Sequence, residues 1–466
     1  MQNRITSKQS QPFSKNDLEN IVRNSPATPA THARTGGPTV IQKLIASLLL
    51  VVVSGLAVAK DLPMVKPAQE GFEPKRLDLL TQSMQRYVDE GKLAGAITMV
   101  ARHGNVVYFE SVGNKGVDDS RPLAKDDLFR IYSMTKPITA AAVMQLYEQG
   151  KFQLADPVSK FVPELKGVQV MQPDGTLAPV AAEMTMQQLL THTTGLSYGF
   201  NAAGDPVDKL YADARLWESK DLDDFAARLG KLPLKFQPGA QWHYSVAVDV
   251  TGLVVQRLSG QRFDEYLAEH IFAPLGMNDT FFEVPADKLN RFLPNHVIDP
   301  KTGKLATIPA GGSEAMRNYE KVSLFSGGGG LVSTTMDYMK FAEAMRNGGQ
   351  LNGQRILGPM TVKYMATNHL PASMASGGSG EAPTLGQQLR GFGFGLGFGL
   401  VTDPAAGGVM GSHGEFNWGG AAGTVFWIDP VEQVTVVGMI QLMGSPYPFR
   451  QDLKIATYQA LNRLEE

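Results

Sequence analysis

Segments patterned as β-strands stand towards the two ends of this chain, and segments patterned as helices stand between them, so a single sheet has to be assembled from parts of the sequence that are far apart. On the N-terminal side, residues 95–101 and 106–109 read as two strands joined by a turn at His103-Gly104-Asn105. On the C-terminal side, residues 391–400 alternate glycine with Phe or Leu at a period of two. This predicts one strand with a bulky face and a bare face, against which something packs closely. Residues 423–428 and 434–440 predict two more strands before a final helix at 451–461. Between these ends, residues 186–190, 221–229, 246–258 and 263–271 carry helical patterning and are separated by Pro/Gly loops. The expected organisation is an α/β domain from 60–150 and 320–466, interrupted by a mainly helical domain at 151–319, with no internal repeat.

The first helix of this plan carries the chemistry. Ser133 and Lys136, in Ile131-Tyr132-Ser133-Met134-Thr135-Lys136-Pro137, form the only Ser-x-x-Lys in the chain. Helix formers fill residues 133–149, Pro137 falls in the first turn where its missing N–H costs little, and Gly150 is a natural stop. On a helix, residues three apart share one face. A serine hydroxyl is a weak nucleophile until a base takes its proton, and a lysine one turn away is such a base if burial keeps it neutral. The helix N-terminus adds N–H groups that favour negative charge near the serine. In a chain with this Ser and Lys content roughly one or two such tetrapeptides arise by chance, so the assignment depends on what accompanies it.

Composition removes several other chemistries. Among 466 residues there is no cysteine, which excludes disulfides, thiolate metal sites, a cysteine nucleophile and a lipoprotein anchor. No His-Glu-x-x-His and no phosphate-binding Gly-x-x-x-x-Gly-Lys occurs, so neither a metal nor another cofactor is expected. A formal charge of −2 without any basic run argues against a nucleic-acid partner. Hydrophobic content of 43% against 19% charged residues predicts a substantial globular core. Residues 44–56 are nearly all apolar, follow Lys43 and precede Ala57-Val58-Ala59. They read as a secretory signal cleaved after Ala59, which implies a periplasmic or secreted protein with no stable membrane insertion. The run is short for a membrane span; the rival reading is an uncleaved inner-membrane anchor. The polar stretch 1–40 is long for a signal n-region and suggests initiation nearer Val40.

A serine with a lysine base needs a second proton-handling group, an oxyanion hole and a wall for the substrate. In Gln241-Trp242-His243-Tyr244-Ser245-Val246 a loop enters a helix, and the Tyr244 phenol is placed to exchange a proton with the serine or the leaving group. Asn417-Trp418-Gly419-Gly420-Ala421-Ala422-Gly423-Thr424 leads towards a strand. Its small residues let a substrate lie near the backbone, and the Ala421 N–H, read as a strand N–H, is a candidate partner for the Ser133 N–H in an oxyanion hole. Leu189 through Leu196 contribute His192, which suits either a site role or a loop hydrogen bond.

These segments, with Pro274-Leu275-Gly276-Met277-Asn278-Asp279-Thr280 and the Ser326–Thr334 stretch that holds a glycine run at 327–330, resemble the serine β-lactamase and penicillin-binding-protein superfamily over about residues 70 to 460, in particular class C β-lactamases and family VIII carboxylesterases. The resemblance implies a β-lactamase-like α/β fold, an antiparallel sheet flanked by helices, an inserted helical domain and a site between them. It casts Ser133, Lys136 and Tyr244 as catalytic, Ser133 and Ala421 as the oxyanion hole, and Trp418, Gly419, Gly420 and Val246 as substrate-binding. Two departures matter. Val246 stands where the lactamase Tyr-x-Asn has its amide, and Trp418-Gly419-Gly420 replaces Lys-Thr-Gly, removing a cation that engages a carboxylate. Both weaken lactam recognition more than acyl transfer. The expected activity is therefore carboxylic ester hydrolysis through an acyl-enzyme on a small-molecule substrate. The alternatives are a β-lactamase or a D-amino-acid peptidase/DD-carboxypeptidase, and, in a different class, a non-catalytic envelope binding protein.

Two decoys accompany these residues. Gly195-Leu196-Ser197-Tyr198-Gly199 matches the Gly-x-Ser-x-Gly elbow of α/β-hydrolases but lacks its strand-before, helix-after context, so Ser197 and Tyr198 are expected only to line the cleft mouth. His413, shortly before Trp418, reads as a rim residue.

Overall fold

The computed structural model describes residues 61–309, 319–371, 374 and 390–465. The signal-like segment and everything upstream of it lie outside the described residues, as does nearly all of 371–388, whose Ser, Gly, Ala and Pro content predicts a mobile loop. Among the described residues no helix is long and apolar enough to cross a membrane.

The sheet has eight strands: β1 (Gly95–Arg102), β2 (Asn105–Gly116), β3 (Asp119–Pro122), β4 (Phe392–Phe394), β5 (Gly399–Val401), β6 (Phe416–Gly419), β7 (Val425–Asp429) and β8 (Val434–Met439). Their order is β4-β5-β6-β7-β8-β1-β2-β3, with every neighbouring pair antiparallel. The seam between the two ends of the chain is β8 on β1, with Ile97 opposite Met439 and Arg102 opposite Val434.

The helices that frame the sheet and the site are α1 (Pro74–Asp89), α2 (Thr135–Glu148), α3 (Ala247–Ser259), α4 (Thr335–Arg346) and α5 (Phe449–Tyr458). Alternate residues of β1 serve opposite faces. Ile97, Met99 and Ala101 join the core that includes Ile138 of α2 and Phe341 of α4, whereas Ala96 and Val100 join Leu80 and Met84 of α1 and Leu453 of α5. Covering both faces explains why β1 is apolar nearly throughout. Sequence patterning did not single out α1, which buries Leu77, Leu80, Met84 and Tyr87 along one stripe. Each such side chain contributes about 1.5–3 kcal/mol. Helix α2 is buried on all sides, Ile138 through Met144 included, and forms the central strut of the larger core.

Three expectations change. Residues 391–400 form a hairpin, β4 and β5, and not one strand. Gly397 takes a left-handed φ of +88°, and the Gly395 N–H closes the turn on the Phe398 carbonyl at 2.8 Å. Alternating glycines satisfy a strand and a turn equally, so period alone does not separate them. The helix expected at 263–271 is α-helical only over Phe263–Leu267 and then widens into a π-turn at Ala268–Phe272. Pro274 has no N–H to donate to the His270 carbonyl four residues back, and that carbonyl accepts the Gln145 side-chain amide of α2 at 3.0 Å. Lastly, Trp418 and Gly419 lie on β6, while Ala421 sits in the β6–β7 turn.

Just before β6, the buried Glu415 carboxylate pairs with Lys454 of α5 at 2.6 Å, and Tyr458 donates to its other oxygen at 3.4 Å. Burial pushes the Glu415 carboxyl upward, and Lys454 pulls it back. Lys454→Met strands that charge and is expected to cost about 3–5 kcal/mol in urea unfolding. Because a raised carboxyl pKa means that stability is lost as pH rises through it, the deficit is expected to be greater at pH 8 than at pH 5. An equal deficit at both pH values would assign the loss to packing alone.

Candidate active site

Ser133 occupies a single 3-10 turn, Tyr132–Met134, immediately before α2, so the predicted helix starts two residues later than its nucleophile. Its N–H precedes the first hydrogen bond of that turn, Met134 N–H to the Ile131 carbonyl at 3.0 Å, and is not consumed by it. The residue before it, Tyr132, has a left-handed φ of +43°, a strained conformation for a bulky side chain. The surroundings hold it there. Asn295 donates to the Tyr132 hydroxyl at 2.8 Å, and Tyr338 of α4 donates to the Met134 carbonyl at 2.9 Å. Thr424, beyond the β6–β7 turn, donates to the Ile131 carbonyl at 3.3 Å, tying the Trp418 segment to the serine turn.

Lys136 lies on the first turn of α2 and is fully buried. Its Nζ is 3.1 Å from Ser133 Oγ and donates to the Gly328 carbonyl at 2.7 Å. It also stands over the rings of Tyr244 (4.4 Å to the centroid) and Tyr198 (5.2 Å). Tyr244, three residues ahead of α3, donates its hydroxyl to Ser133 Oγ at 2.7 Å. Burial pushes the phenol pKa up, against an opposing pull from the Ser133 hydrogen bond, so Tyr244 is a neutral donor. Lys136, from the helix that follows the serine turn, and Tyr244, from a loop 111 residues away, therefore meet at the Ser133 oxygen.

His192 supports this arrangement from behind. Its Nδ1 accepts the Ser245 N–H at 3.3 Å, which fixes the acceptor nitrogen, and its ring packs 4.9 Å from Tyr244. Burial drives its pKa far down, with neighbouring Lys136 and His243 pushing the same way. It is a neutral prop for the Tyr244 loop. Trp418, half-buried on β6, packs 5.6 Å from Tyr244 and 5.3 Å from Phe394, and Phe394 packs 5.7 Å from Trp242. Together with Tyr198, 5.2 Å from Tyr244, these rings form an aromatic cluster around the Tyr244 phenol that bonds Ser133, with Phe394 buried and the others half-buried.

The other candidates fall as follows. Gly419 ends β6 and Gly420 begins the turn, its N–H bonded to the Thr424 carbonyl at 2.8 Å. A side chain at Gly420 would collide with the Ile131 carbonyl, so the strand end approaches the serine turn as closely as backbone allows. Ala421 is exposed in that turn, and among the described residues its N–H is bonded to no other group. Val246 caps α3 with its side chain wholly inside the core, so it presents no surface to a substrate. Ser197 is buried and does not line a mouth. Its Oγ donates to Asp208 at 2.5 Å and lies 3.3 Å from His243 Nε2, while Tyr198 alone of that motif reaches the site. His413 is exposed in the loop ahead of β6. Among the described residues no group of three or more His, Asp or Glu side chains is placed to hold a metal ion.

Sequence reasoning missed Tyr132 and Asn295, which brace the serine turn, and Asp249 in the first turn of α3, whose Oδ1 accepts the N–H of Gly328, the residue whose carbonyl holds Lys136. Of these only Asp249 left a trace, as an acidic residue in an otherwise apolar helical stretch.

Comparison with known proteins agrees with this architecture. A family model described as Beta-lactamase matches residues 80–460. Esterase EstB of Burkholderia gladioli is 33% identical over 369 residues, covering 76% of this chain and 86% of EstB. Lovastatin esterase of Penicillium rubens is 30% identical, covering 77% and 91%. Among solved structures, simvastatin synthase (LovD) of Aspergillus terreus superposes with a TM-score of 0.70 at 25% identity, covering 82% of this chain and 98% of that one.

Proposed function

We propose, from the premise that the chain belongs to the β-lactamase family and is a serine hydrolase, that it cleaves carboxylic esters through an acyl-enzyme on Ser133. The observation that carries this reading is the convergence of Lys136 Nζ and Tyr244 Oη on Ser133 Oγ, at 3.1 and 2.7 Å.

Ser133 Oγ attacks the ester carbonyl carbon as its proton passes to the neutral Lys136 amine. The carbonyl oxygen becomes an oxyanion held by the N–H groups of Ser133 and Ala421; one such donor is worth about 10²–10³ in rate. Breaking the C–O bond expels the alcohol, which takes a proton from Tyr244, and Lys136 restores the phenol. Water then attacks the acyl carbon and gives a proton to the same pair; the bond from Ser133 Oγ to the acyl carbon breaks, the pair returns that proton to Oγ, and the carboxylic acid leaves. Trp418 and Gly419 at the end of β6, with Gly420 at the start of its turn, are the wall along which the ester lies. The Trp418 ring and those of Trp242 and Tyr198, all half-buried, favour uncharged, apolar substrates, because the hydrophobic surface they offer does not compensate a desolvated charge.

Two measurements test this. Acid-quenched digestion after mixing with p-nitrophenyl butyrate is expected to place a butyryl group on the peptide containing Ser133. In a panel of p-nitrophenyl esters, a chromogenic cephalosporin and a D-Ala-D-Ala peptide, the esters are expected to have the highest kcat/KM by at least about tenfold, a difference of about 1.4 kcal/mol in transition-state binding. A cephalosporin turned over faster than every ester would overturn the substrate assignment while leaving the nucleophile in place.

A further inference from the structure

The glycine run at 327–330, which the mechanism does not otherwise use, passes between α2 and α3 where Lys136 is anchored. The peptide joining Gly327 and Gly328 is gripped from both sides. Thr139 of α2 donates to the Gly327 carbonyl at 2.8 Å, and Asp249 Oδ1 of α3 accepts the Gly328 N–H at 3.0 Å. The same Asp249 oxygen accepts the Ser326 hydroxyl at 2.5 Å. What this grip presents is the Gly328 carbonyl, the acceptor of Lys136 Nζ at 2.7 Å. No Cβ fits at Gly328, since it would run into Asp249 Oδ2 and the Tyr198 hydroxyl.

Asp249 stands in the first turn of α3, where an acidic side chain ordinarily caps the N–H groups of its own helix. Here it turns across to the neighbouring loop. It is also almost completely buried, and its Oδ2 has no hydrogen-bond partner among the described residues. An orphaned buried carboxylate oxygen costs stability without any return in packing.

We infer that Asp249 is a positioning residue for the acylation step: by fixing the Gly327–Gly328 peptide it aims the Gly328 carbonyl at Lys136, and so holds the Lys136 amine on Ser133 Oγ. It touches neither substrate nor the reacting atoms and acts only through that carbonyl. A base displaced by about 1 Å loses roughly 10² in rate. The loss falls on the chemical step and not on binding.

The inference rests on Ser133 as nucleophile and not on the ester assignment, so the test uses a fluorophosphonate probe, in which Ser133 Oγ attacks phosphorus, its proton passes to Lys136 and fluoride leaves. Labelling of Ser133 in the full-length protein is timed for wild type, Asp249→Ala, Asp249→Asn and Ser326→Ala. Asp249→Ala is expected to slow the labelling rate constant about 100-fold with the half-saturating probe concentration changed less than threefold. Asp249→Asn keeps an oxygen for both hydrogen bonds and is expected to return to within tenfold of wild type. Ser326→Ala, which loosens one side of the grip, is expected to slow labelling about fivefold to tenfold. Labelling of Asp249→Ala within threefold of wild type overturns the inference, as does Asp249→Asn no faster than Asp249→Ala. If Asp249→Ala does not fold, Ser326→Ala decides, and a rate within twofold of wild type is then the contrary result. A wild-type protein that labels normally but turns over no ester would contradict the proposed substrate and leave Asp249 in its role.

Discussion

Ser133→Ala is expected to lower kcat/KM for p-nitrophenyl esters by about 10⁴ or more while leaving the thermal midpoint nearly unchanged. The two halves of this expectation have separate grounds. The hydroxyl is the only atom that can carry the acyl group in the proposed mechanism, and what survives its loss is substrate binding and oxyanion stabilisation without covalent chemistry. The fold does not depend on it, because Ser133 is half-buried and, among the described residues, its Oγ is bonded to Tyr244 and Lys136, themselves anchored elsewhere by Trp418, His192 and Gly328. Ser197→Ala is the control, since Ser197 is buried against Asp208 and should retain turnover within about tenfold. Were Ser197→Ala inactive and Ser133→Ala active, the Gly-x-Ser-x-Gly motif would be the true nucleophile and the site described above a structural feature.

The parts of this architecture that were legible in the sequence are those set by one local period. Ser133 and Lys136 are three apart ahead of an uninterrupted helical run, and β1 and β8 are short apolar stretches bounded by turn residues. Helix 222–229 starts where Asp221 caps it, its carboxylate accepting the Asp224 N–H at 2.8 Å. Legibility ended where two conformations share one pattern. The glycine alternation at 391–400 reads as a strand until Gly397 is seen to turn, and the glycines at 419–423 hide which residues pair with β7 and which form the bend. Whether a side chain faces the site or the core is similarly hidden. Val246 occupies a position that the resemblance assigns to substrate, yet it is core, whereas Tyr198, taken from a decoy motif, packs against Tyr244.

Asp249 illustrates a different limit. From the sequence it is one acidic residue within an apolar helical run, indistinguishable from a helix-capping charge. Its meaning depends on residues nearly eighty positions away, Ser326 and Gly328, which only the packed structure brings to it. A tertiary hydrogen bond has no period and leaves no sequence spacing to detect.

Lys136→Ala is expected to reduce ester turnover by about 10⁴-fold, at the upper end of what a lost general base removes, and Tyr244→Phe by about 10–10². The ordering follows from which group is able to accept a proton. Tyr244 donates to Ser133 Oγ, and burial pushes its pKa up, so at neutral pH it is a phenol that gives a proton to the leaving alcohol but takes none from the serine. His192 is likewise neutral, and its Nδ1 is already occupied by the Ser245 N–H, so it cannot step in. That leaves the Lys136 amine as the acceptor within reach of Ser133. The two substitutions also differ in what else they disturb. Phenylalanine keeps the ring against Trp418, His192 and Tyr198, so Tyr244→Phe reports the hydroxyl alone. Alanine at 136 empties a fully buried site and leaves the Gly328 carbonyl without its donor, so its kinetics have to be read on protein shown to be folded by circular dichroism. Burst kinetics separate the steps: Lys136→Ala should abolish the rapid release of p-nitrophenol, whereas Tyr244→Phe should slow it. Equal losses in the two variants would mean that lysine and tyrosine act as one proton-transfer unit, and near-normal turnover in Lys136→Ala would refute the assigned base.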